Sequence, residues 1–380
     1  MDFREIYDNL TIIIPFHKNK EMIKLSIKTL LRTIPNDITI KVIANNYDKS
    51  QLSLKFKEKN IEVIRRNKNL FWPGAINLGA KLSNTEYLLF CDPDIFYWDN
   101  WLEELIKCYF SNKNVGVVSS KIINPLSNRI MDFGMAYLDY NVIHMSKGLP
   151  YNHPYTLSDR EVQSACGAIF FTSKKNFELV NGIDTDMPYI YCDNAYCLKL
   201  LKHGLNTFVA ANSCVYHIGD TNDNNSKYYS FRYLREDSKA AFYSKYINIR
   251  SIDYQSWLAK SFKWYKKNTN NIQENYVIVN LSTFPTSHEY IDFFKYNLKL
   301  NIYDVYHYPL KERNIKHISL SGVLESYLID LITPVIYFVD NFTSLFDNKI
   351  WSTLRNVNHD LIVDIHGNFI NYTDLENLVI

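Results

Sequence analysis

Short apolar runs alternate with helix-spaced apolar positions along the first 245 residues. Strands are predicted at 10–14, 38–44, 61–64, 87–91, 115–119, 167–171 and 208–216. Helices are predicted at 20–33, 75–82, 174–180, 194–203 and 226–245. The turn-rich stretch 122–154 is expected to form loops or a meander. This alternation favours an α/β fold with a mixed, mainly parallel sheet flanked by helices.

Polar turns follow two of the predicted strands. Asn45 and Asn46 follow the second strand, and Asp92-Pro93-Asp94 follows the fourth. Because ligands bind at the carboxyl ends of parallel strands, both turns are expected to line one crevice. Two carboxylates one residue apart suit a hard cation such as Mg²⁺ or Mn²⁺. Ordinary turn chemistry is the alternative for this pair.

A second, smaller α/β unit is predicted from strand patterns at 276–281, 303–306, 335–339 and 361–365. The expected organisation is a catalytic domain over 1–250, a helical linker over 251–274 and an accessory domain over 275–380. The alternative is one piece of a longer multi-enzyme polypeptide. The basic, aromatic stretch 257–267 is interpreted as a packed helix with snorkelling lysines, or as a contact with an anionic membrane surface.

Charge and cysteine usage narrow the functional classes. A net charge of +2 over 380 residues argues against a dedicated nucleic-acid binder. The six cysteines form no Cys-x-x-Cys pair, which favours a reducing compartment. There is no signal-peptide pattern, and Glu325, Asp330 and Pro334 interrupt the most apolar late stretch. A cytoplasmic location is expected, with peripheral contact at the inner face of the membrane as an extension.

The segment 67–101 resembles family 2 glycosyltransferases with the GT-A fold. In that family a run close to N-L-G-F-A-G-G-N-N-x-G precedes a helix and a strand that ends in Asp-x-Asp. Residues 69–79 align with this run without a gap, and Asn69, Gly74, Asn77 and Gly79 match. Phe71 replaces a glycine. The resemblance implies that this loop contacts the nucleotide and its diphosphate.

The first two strands also end in turns similar to those of the family. Ala44 and Asn45 stand where an aspartate usually holds a uracil ring, and an asparagine side chain can still bond to a pyrimidine edge. The resemblance implies a UDP-sugar donor, with dTDP- and GDP-sugars as alternatives. The residues implied in donor binding are Pro15, Asn45, Asn46, Asn69, Gly74, Asn77 and Asp92.

Residues 167–204 resemble the acceptor half of the family, and Asp193 falls on its catalytic aspartate. Cys192 replaces the usual preceding glutamate, and Ala195 replaces a second aspartate. His217 resembles a late histidine that completes the metal shell. The resemblance therefore implies Asp92, Asp94 and His217 as metal ligands and Asp193 as general base. The structural alternatives are a helix cap for Asp193 and a non-ligating histidine.

The resemblance implies an inverting glycosyltransferase that uses Mn²⁺ or Mg²⁺. It moves a sugar from a nucleotide-sugar to a hydroxyl of a glycan or lipid-linked acceptor, and the polar loop 220–227 is expected to close over the donor. One alternative is an inactive glycosyltransferase-like binding module. Another is a sugar nucleotidyltransferase, although residues 11–20 lack a glycine-rich basic signature for a triphosphate. Homo-oligomerisation stays open.

Overall fold

The computed structural model describes two units of the chain. They comprise Met1–Met135 with Pro150–Ile249, and Ala136–Leu149 with Arg250–Ile380. The described residues are 2–45, 54–138, 141–219, 229–246, 252–269, 272–282, 300–307, 333–342, 359–371 and 373–375, together with Phe293, Phe294, Leu298 and Leu345.

Strands and helices alternate along the chain up to Tyr246. The strands are β1 (Leu10–Phe16), β2 (Thr39–Ala44), β3 (Ile61–Arg65), β4 (Tyr87–Cys91), β5 (Ile95–Tyr97), β6 (Val115–Ile123), β7 (Ile130–Asp132), β8 (Met135–Leu138), β9 (Asn141–His144), β10 (Arg160–Val162), β11 (Ile169–Ser173) and β12 (Asn206–His217). The helices are α1 (Phe3–Asp8), α2 (Lys20–Thr33), α3 (Phe71–Lys81), α4 (Trp101–Ser111), α5 (Lys174–Leu179), α6 (Cys192–Lys202) and α7 (Tyr229–Tyr246).

The first unit is built on one large sheet in the order β10-β12-β6-β11-β4-β1-β2-β3, with β5 on β12 and β7 on β6. Neighbouring strands are parallel from β4 through β1 and β2 to β3, and also between β6 and β12. Strand β11 runs antiparallel between β4 and β6. The expected mixed, mainly parallel sheet flanked by helices is confirmed.

Tight packing of α3 on β1 fixes where the loop before α3 lies. Residues Ile12, Ile13 and Ile14 of β1 are fully buried, as expected for a central strand covered on both faces. A Cβ atom on Gly79 of α3 would lie 2.4 Å from Cγ2 of Ile13, so only glycine allows this approach. The start of α3 is thereby held near the carboxyl ends of the central strands.

The structure differs from the prediction in the start of one helix and in several short elements that were not predicted, among them α1, β5 and β10. Helix α3 begins at Phe71 rather than at residue 75, so most of the aligned loop is helical. Helix α4 was not predicted. The stretch 122–154 contains the short strands β7, β8 and β9, which agrees with the meander interpretation. The predicted helix at 226–245 is described only from residue 229.

The second unit contains a smaller, mainly parallel sheet. Its elements are α8 (Ile252–Asn268), β13 (Asn275–Asn280), β14 (Asn301–His307), β15 (Val335–Val339), β16 (Leu361–Asp364) and β17 (Phe369–Ile370). The strand order is β14-β13-β15-β16-β17, and only β17 is antiparallel. The smaller C-terminal α/β unit is confirmed. Within the described ranges, no helix combines the length and apolar composition that a membrane span needs.

Candidate functional site

Strand register brings the acidic pair and His217 together. Asp92 directly follows β4, and its backbone N–H donates to the Ala168 carbonyl at 2.9 Å. Asp94 directly precedes β5, which pairs antiparallel with β12 so that Ile95 lies opposite His217. The Ile218 N–H donates to the Asp94 carbonyl at 3.3 Å, which continues this pairing.

The three side chains form a compact ligand set. Nε2 of His217 lies 3.2 Å from Oδ1 of Asp94 and 3.7 Å from Oδ2 of Asp92. One ligand atom from each residue lies within 4.8 Å of the other two. The side chains are 15%, 22% and 23% exposed for His217, Asp94 and Asp92, so a small ligand can reach them. The structure thus places all three predicted ligands in one group.

Negative charge accumulates at this group. Burial raises the pKa of Asp92 above its ordinary value, and the Asp94 and Asp193 carboxylates add to the rise, while His217 and a hydrogen bond from Trp72 oppose it. Burial lowers the pKa of His217, but Asp94 and Asp92 outweigh this effect and raise it overall. Crowded carboxylates of this kind are stabilised by a cation. Two carboxylates and one imidazole fit Mn²⁺ or Mg²⁺ chemically.

Asp193 lies in the first turn of α6 and is held by two backbone groups. Its Oδ2 accepts a hydrogen bond from Gly167 N–H at 3.0 Å, and its Oδ1 accepts one from Asn194 N–H at 2.9 Å. A Cβ atom on Gly167 would lie only 2.8 Å from Cβ of Asp193. The carboxylate therefore has a helix-capping contact and a fixed place beside the strand end at Gly167. The role of general base stays a prediction.

Trp72 links the two halves of the site and was not singled out in the sequence. Its indole Nε1 donates to Oδ1 of Asp92 at 2.8 Å. Its ring carbon Cη2 would lie 3.2 Å from a Cβ atom on Gly167, beside Asp193. The only sequence signal was its place inside the aligned loop. The contact with Asp92 spans 20 residues and arises only in the folded chain.

The predicted nucleotide-binding residues near β1 and β2 hold the loop before α3. Oδ1 of Asn45 accepts from Leu70 N–H, and its Nδ2 donates to the Phe71 carbonyl, both at 3.3 Å. Oδ1 of Asn69 accepts from Phe71 N–H at 2.9 Å. Pro15 lies in β1 next to Phe16, and the Phe16 carbonyl accepts a hydrogen bond from Asn45 N–H. Asn46 and the predicted loop 220–227 lie outside the described residues.

Asn77 and Gly74 lie on α3. Nδ2 of Asn77 donates to the Ile183 carbonyl at 2.8 Å, and its Oδ1 accepts from Ile183 N–H at 2.9 Å. Both ends of this amide therefore anchor the loop between α5 and α6. A Cβ atom on Gly74 would meet Cβ of Leu70 at 3.1 Å. The nucleotide contacts of both residues stay predictions.

Two of the solved structures that match this chain show limited similarity to it. One is GalNAc-T7 with UDP, GalNAc and Mn²⁺, at 13% identity and a TM-score of 0.46, over 55% of this chain and 43% of that one. The other is the mannosyltransferase PcManGT from Pyrobaculum calidifontis with GDP-Man and Mn²⁺, at 15% identity and a TM-score of 0.46, over 63% of this chain and 64% of that one. The chain thus spans less than two thirds of either.

Comparison with curated protein sequences gives no match. The model of the family described as glycosyl transferase family 2 matches residues 11–177. This segment includes β1 to β6, the aligned loop at 69–79, Asp92 and Asp94. The matched segment covers 167 of the 380 residues, and this part of the chain is similar to glycosyl transferase family 2.

Proposed function

We propose that the chain is an inverting, metal-assisted glycosyltransferase. The sugar moves from a nucleoside-diphosphate sugar to a hydroxyl of a glycan or lipid-linked acceptor. The observation that carries the proposal is the group of Asp92, Asp94 and His217, whose ligand atoms lie within 4.8 Å of one another. Carboxylate oxygens that stay accessible suit a cation that also binds phosphate oxygens.

The three residues of the ligand set have separate proposed roles in binding the donor. Asp94 and His217 would hold Mn²⁺ or Mg²⁺ directly, and Asp92 would complete the site as a ligand itself or through a bound water or a ribose hydroxyl. The cation supplies positive charge that neutralises the leaving diphosphate. Because Asp94 and Asp92 raise the pKa of His217, binding of a cation to its imidazole competes with binding of a proton.

Asp193 takes the proton of the acceptor hydroxyl. The acceptor oxygen forms a bond to the anomeric carbon, and the bond from that carbon to the diphosphate oxygen breaks. The N–H groups of Gly167 and Asn194 orient the carboxylate for this proton transfer. Attack on the face opposite the diphosphate inverts the anomeric carbon.

The donor is proposed to be a UDP-sugar, with dTDP- and GDP-sugars as alternatives. Asn45 and Asn77 are proposed to contribute to donor binding indirectly. Their side-chain amides form hydrogen bonds to backbone groups and so hold the neighbouring loops in place. Pro15, Asn69 and Gly74 are proposed to line the nucleotide itself. An accessory role for the C-terminal unit and peripheral membrane contact belong to the same proposal.

A donor screen tests this function. Purified protein with Mn²⁺ is incubated with UDP-, dTDP- and GDP-sugars, and released nucleotide is measured for the wild type, Asp94→Ala and Asp193→Asn. Release of one nucleotide is expected, with losses of about 100-fold or more in both variants. Asp99→Asn, an exposed aspartate outside the ligand set, is the matched control and should behave as the wild type.

The outcomes separate the competing functions. Nuclear magnetic resonance of the glycoside product should show an inverted anomeric centre, and retention would contradict the role of Asp193. Absence of both nucleotide release and metal-dependent nucleotide binding would favour the non-catalytic binding module. Pyrophosphate release from a nucleoside triphosphate and a sugar 1-phosphate would favour the nucleotidyltransferase.

A further inference from the structure

We infer that Trp72 is a positioning residue that sets the orientation of the Asp92 carboxylate and ties it to the strand end beside Asp193. The inference rests on the proposed function, because it concerns how the cation site and the base are held in one arrangement. Two contacts of one indole ring carry it, one through its N–H group and one through its six-membered ring.

The first contact fixes which oxygen of Asp92 faces the ligand set. The indole N–H donates to Oδ1 at 2.8 Å, while Oδ2 is the oxygen that lies 3.7 Å from Nε2 of His217. An indole N–H is a donor only and cannot itself ligate a cation. Trp72 therefore reserves Oδ2 for the cation position and prevents rotation of the carboxylate.

The second contact places carbons Cη2 and Cζ2 of the six-membered ring against Gly167. A Cβ atom on Gly167 would lie 3.2 Å from Cη2 of Trp72 and 2.8 Å from Cβ of Asp193. The N–H of Gly167 is also the group that holds Oδ2 of Asp193. A rigid ring with only two side-chain torsions thus joins the acidic turn to the backbone that orients the base.

The Trp72 contacts should affect how tightly the cation binds, even when no nucleotide-sugar is present. Groups that hydrogen-bond to metal ligands orient them, and their removal costs about 10- to 100-fold in metal affinity or activity. Loss of the Trp72 N–H should therefore weaken Mn²⁺ binding even without a donor. Loss of the ring should in addition lower turnover, because Gly167 and Asp193 lose a packing partner.

The test replaces one hydrogen-bond donor. Incorporation of 3-benzothienylalanine at position 72 exchanges the ring N–H for sulfur and keeps the ring size, and Trp72→Phe is the second variant. Mn²⁺ affinity is measured by electron paramagnetic resonance of the free ion, without nucleotide. Both variants should bind Mn²⁺ about 10- to 100-fold more weakly. Trp98→Phe is the control, since Nε1 of Trp98 has no hydrogen-bond partner in the described part of the chain.

Different results would overturn the positioning role of Trp72 and the proposed metal-assisted function. If the wild type binds Mn²⁺ and the benzothienyl variant binds it equally well, the positioning role is overturned and the proposed function stands. If the wild type binds no Mn²⁺, both the metal-assisted function and the inference are overturned. Turnover adds a second criterion: the benzothienyl variant should recover rate at saturating Mn²⁺, whereas Trp72→Phe should keep a lower kcat.

Discussion

At the scale of single residues, the site depends on one position where a side chain is not tolerated. Gly167 lies between Asp193 and Trp72, and its missing Cβ is what allows both to approach the strand end. The same residue donates its N–H to Asp193. A methyl group at this position would push the carboxylate away from the backbone that orients it.

Gly167→Ala should therefore lower turnover more than it lowers stability. A displacement of about 1 Å in a catalytic group can cost about 100-fold in rate, so a loss of about 10- to 100-fold in kcat is expected. Steady-state kinetics with the donor identified by the screen would measure it. Gly79→Ala is the matched control, because its new methyl group would meet Ile13 at 2.4 Å but touches none of the site residues.

The control variant should show the opposite pattern. Overpacking a core typically costs about 1–3 kcal/mol, so Gly79→Ala should lower the free energy of unfolding by that amount. Its kcat per folded molecule should stay near the wild-type value. Equal losses of kcat in both variants would show that Gly167 matters only for stability.

The proximity of Asp92, Asp94 and His217 could be expected from the sequence, while their roles stay predictions. Asp92 and Asp94 follow a fully apolar strand, and His217 ends another, so their common edge of the sheet was predictable. Trp72 and Gly167 gave no such signal. Their importance arises from packing against residues that are distant in sequence, which no periodicity or spacing encodes.

At the scale of elements, the loop between α5 and α6 leads directly to Asp193 in the first turn of α6 and needs an anchor of its own. Asn77 of α3 holds Ile183 with two hydrogen bonds. Nζ of Lys199 donates to the Gly182 carbonyl at 2.6 Å and forms an ion pair with Asp184 at 2.7 Å. Side chains from α3 and α6 thus bind the same segment, residues 182–184.

Asn77→Ala should release this segment. Loss of both bonds leaves the backbone groups of Ile183 without these partners, and a cost of about 2 kcal/mol in unfolding free energy is expected. Hydrogen exchange should show loss of protection at the Ile183 amide. Asn60→Ala is the control, because it removes a single side-chain bond to the Ile38 carbonyl, away from the site. Unchanged Ile183 protection in Asn77→Ala would contradict the anchoring role.

Element prediction missed two helices, the short α1 and the longer α4. Helix α4 buries Trp101, Leu102, Leu105 and Ile106, a spacing that is helical. Asn100, followed three residues later by Glu103, is also a usual helix-start signal in the sequence, although in the structure Asn100 has a left-handed backbone and makes no side-chain capping bond. The strands were easier to predict, since buried parallel strands form short continuous apolar runs.

At the scale of the whole molecule, the sequence indicated a second α/β unit but not its full extent. Residues Ala136–Leu149 cluster with this unit although they lie more than 100 residues before the rest of it. Nδ1 of His366 donates to the His144 carbonyl at 2.7 Å, and Nδ2 of Asn368 donates to the Lys147 carbonyl at 2.9 Å. Hydrogen bonds between segments so far apart in the chain cannot be predicted from the sequence pattern of either segment alone.

The same turn of the second unit buries two titratable groups with opposite shifts. Burial raises the pKa of Asp364 to about 8, against the hydrogen bonds from Asn368 and from the backbone of His366. Burial, together with the positive charge of Lys147, lowers the pKa of His366 to about 3. In the folded protein Asp364 therefore stays protonated above about pH 4, where the unfolded chain loses this proton. His366 stays neutral below about pH 6.5, where the unfolded chain becomes protonated.

These shifts predict an asymmetric pH dependence of stability in the second unit. The contribution of Asp364 is complete below about pH 4 and is lost as pH rises towards 8, whereas that of His366 is complete above about pH 6.5 and is lost as pH falls towards 3. Between about pH 4 and 6.5 the two slopes oppose each other. Between about pH 6.5 and 8 only Asp364 acts, so the free energy of unfolding should fall by up to about 1.4 kcal/mol per pH unit.

Urea titrations of the wild type and Asp364→Asn at pH 6.5 and pH 8, followed by fluorescence of the tryptophans, test this dependence. Asp364→Asn keeps a carbonyl acceptor for the N–H groups of His366 and Asn368 but cannot ionise. Its stability should therefore be nearly constant over this interval, while the wild type weakens. A parallel decline in both proteins would assign the pH dependence to other groups, because a side chain without a titrating proton contributes no slope.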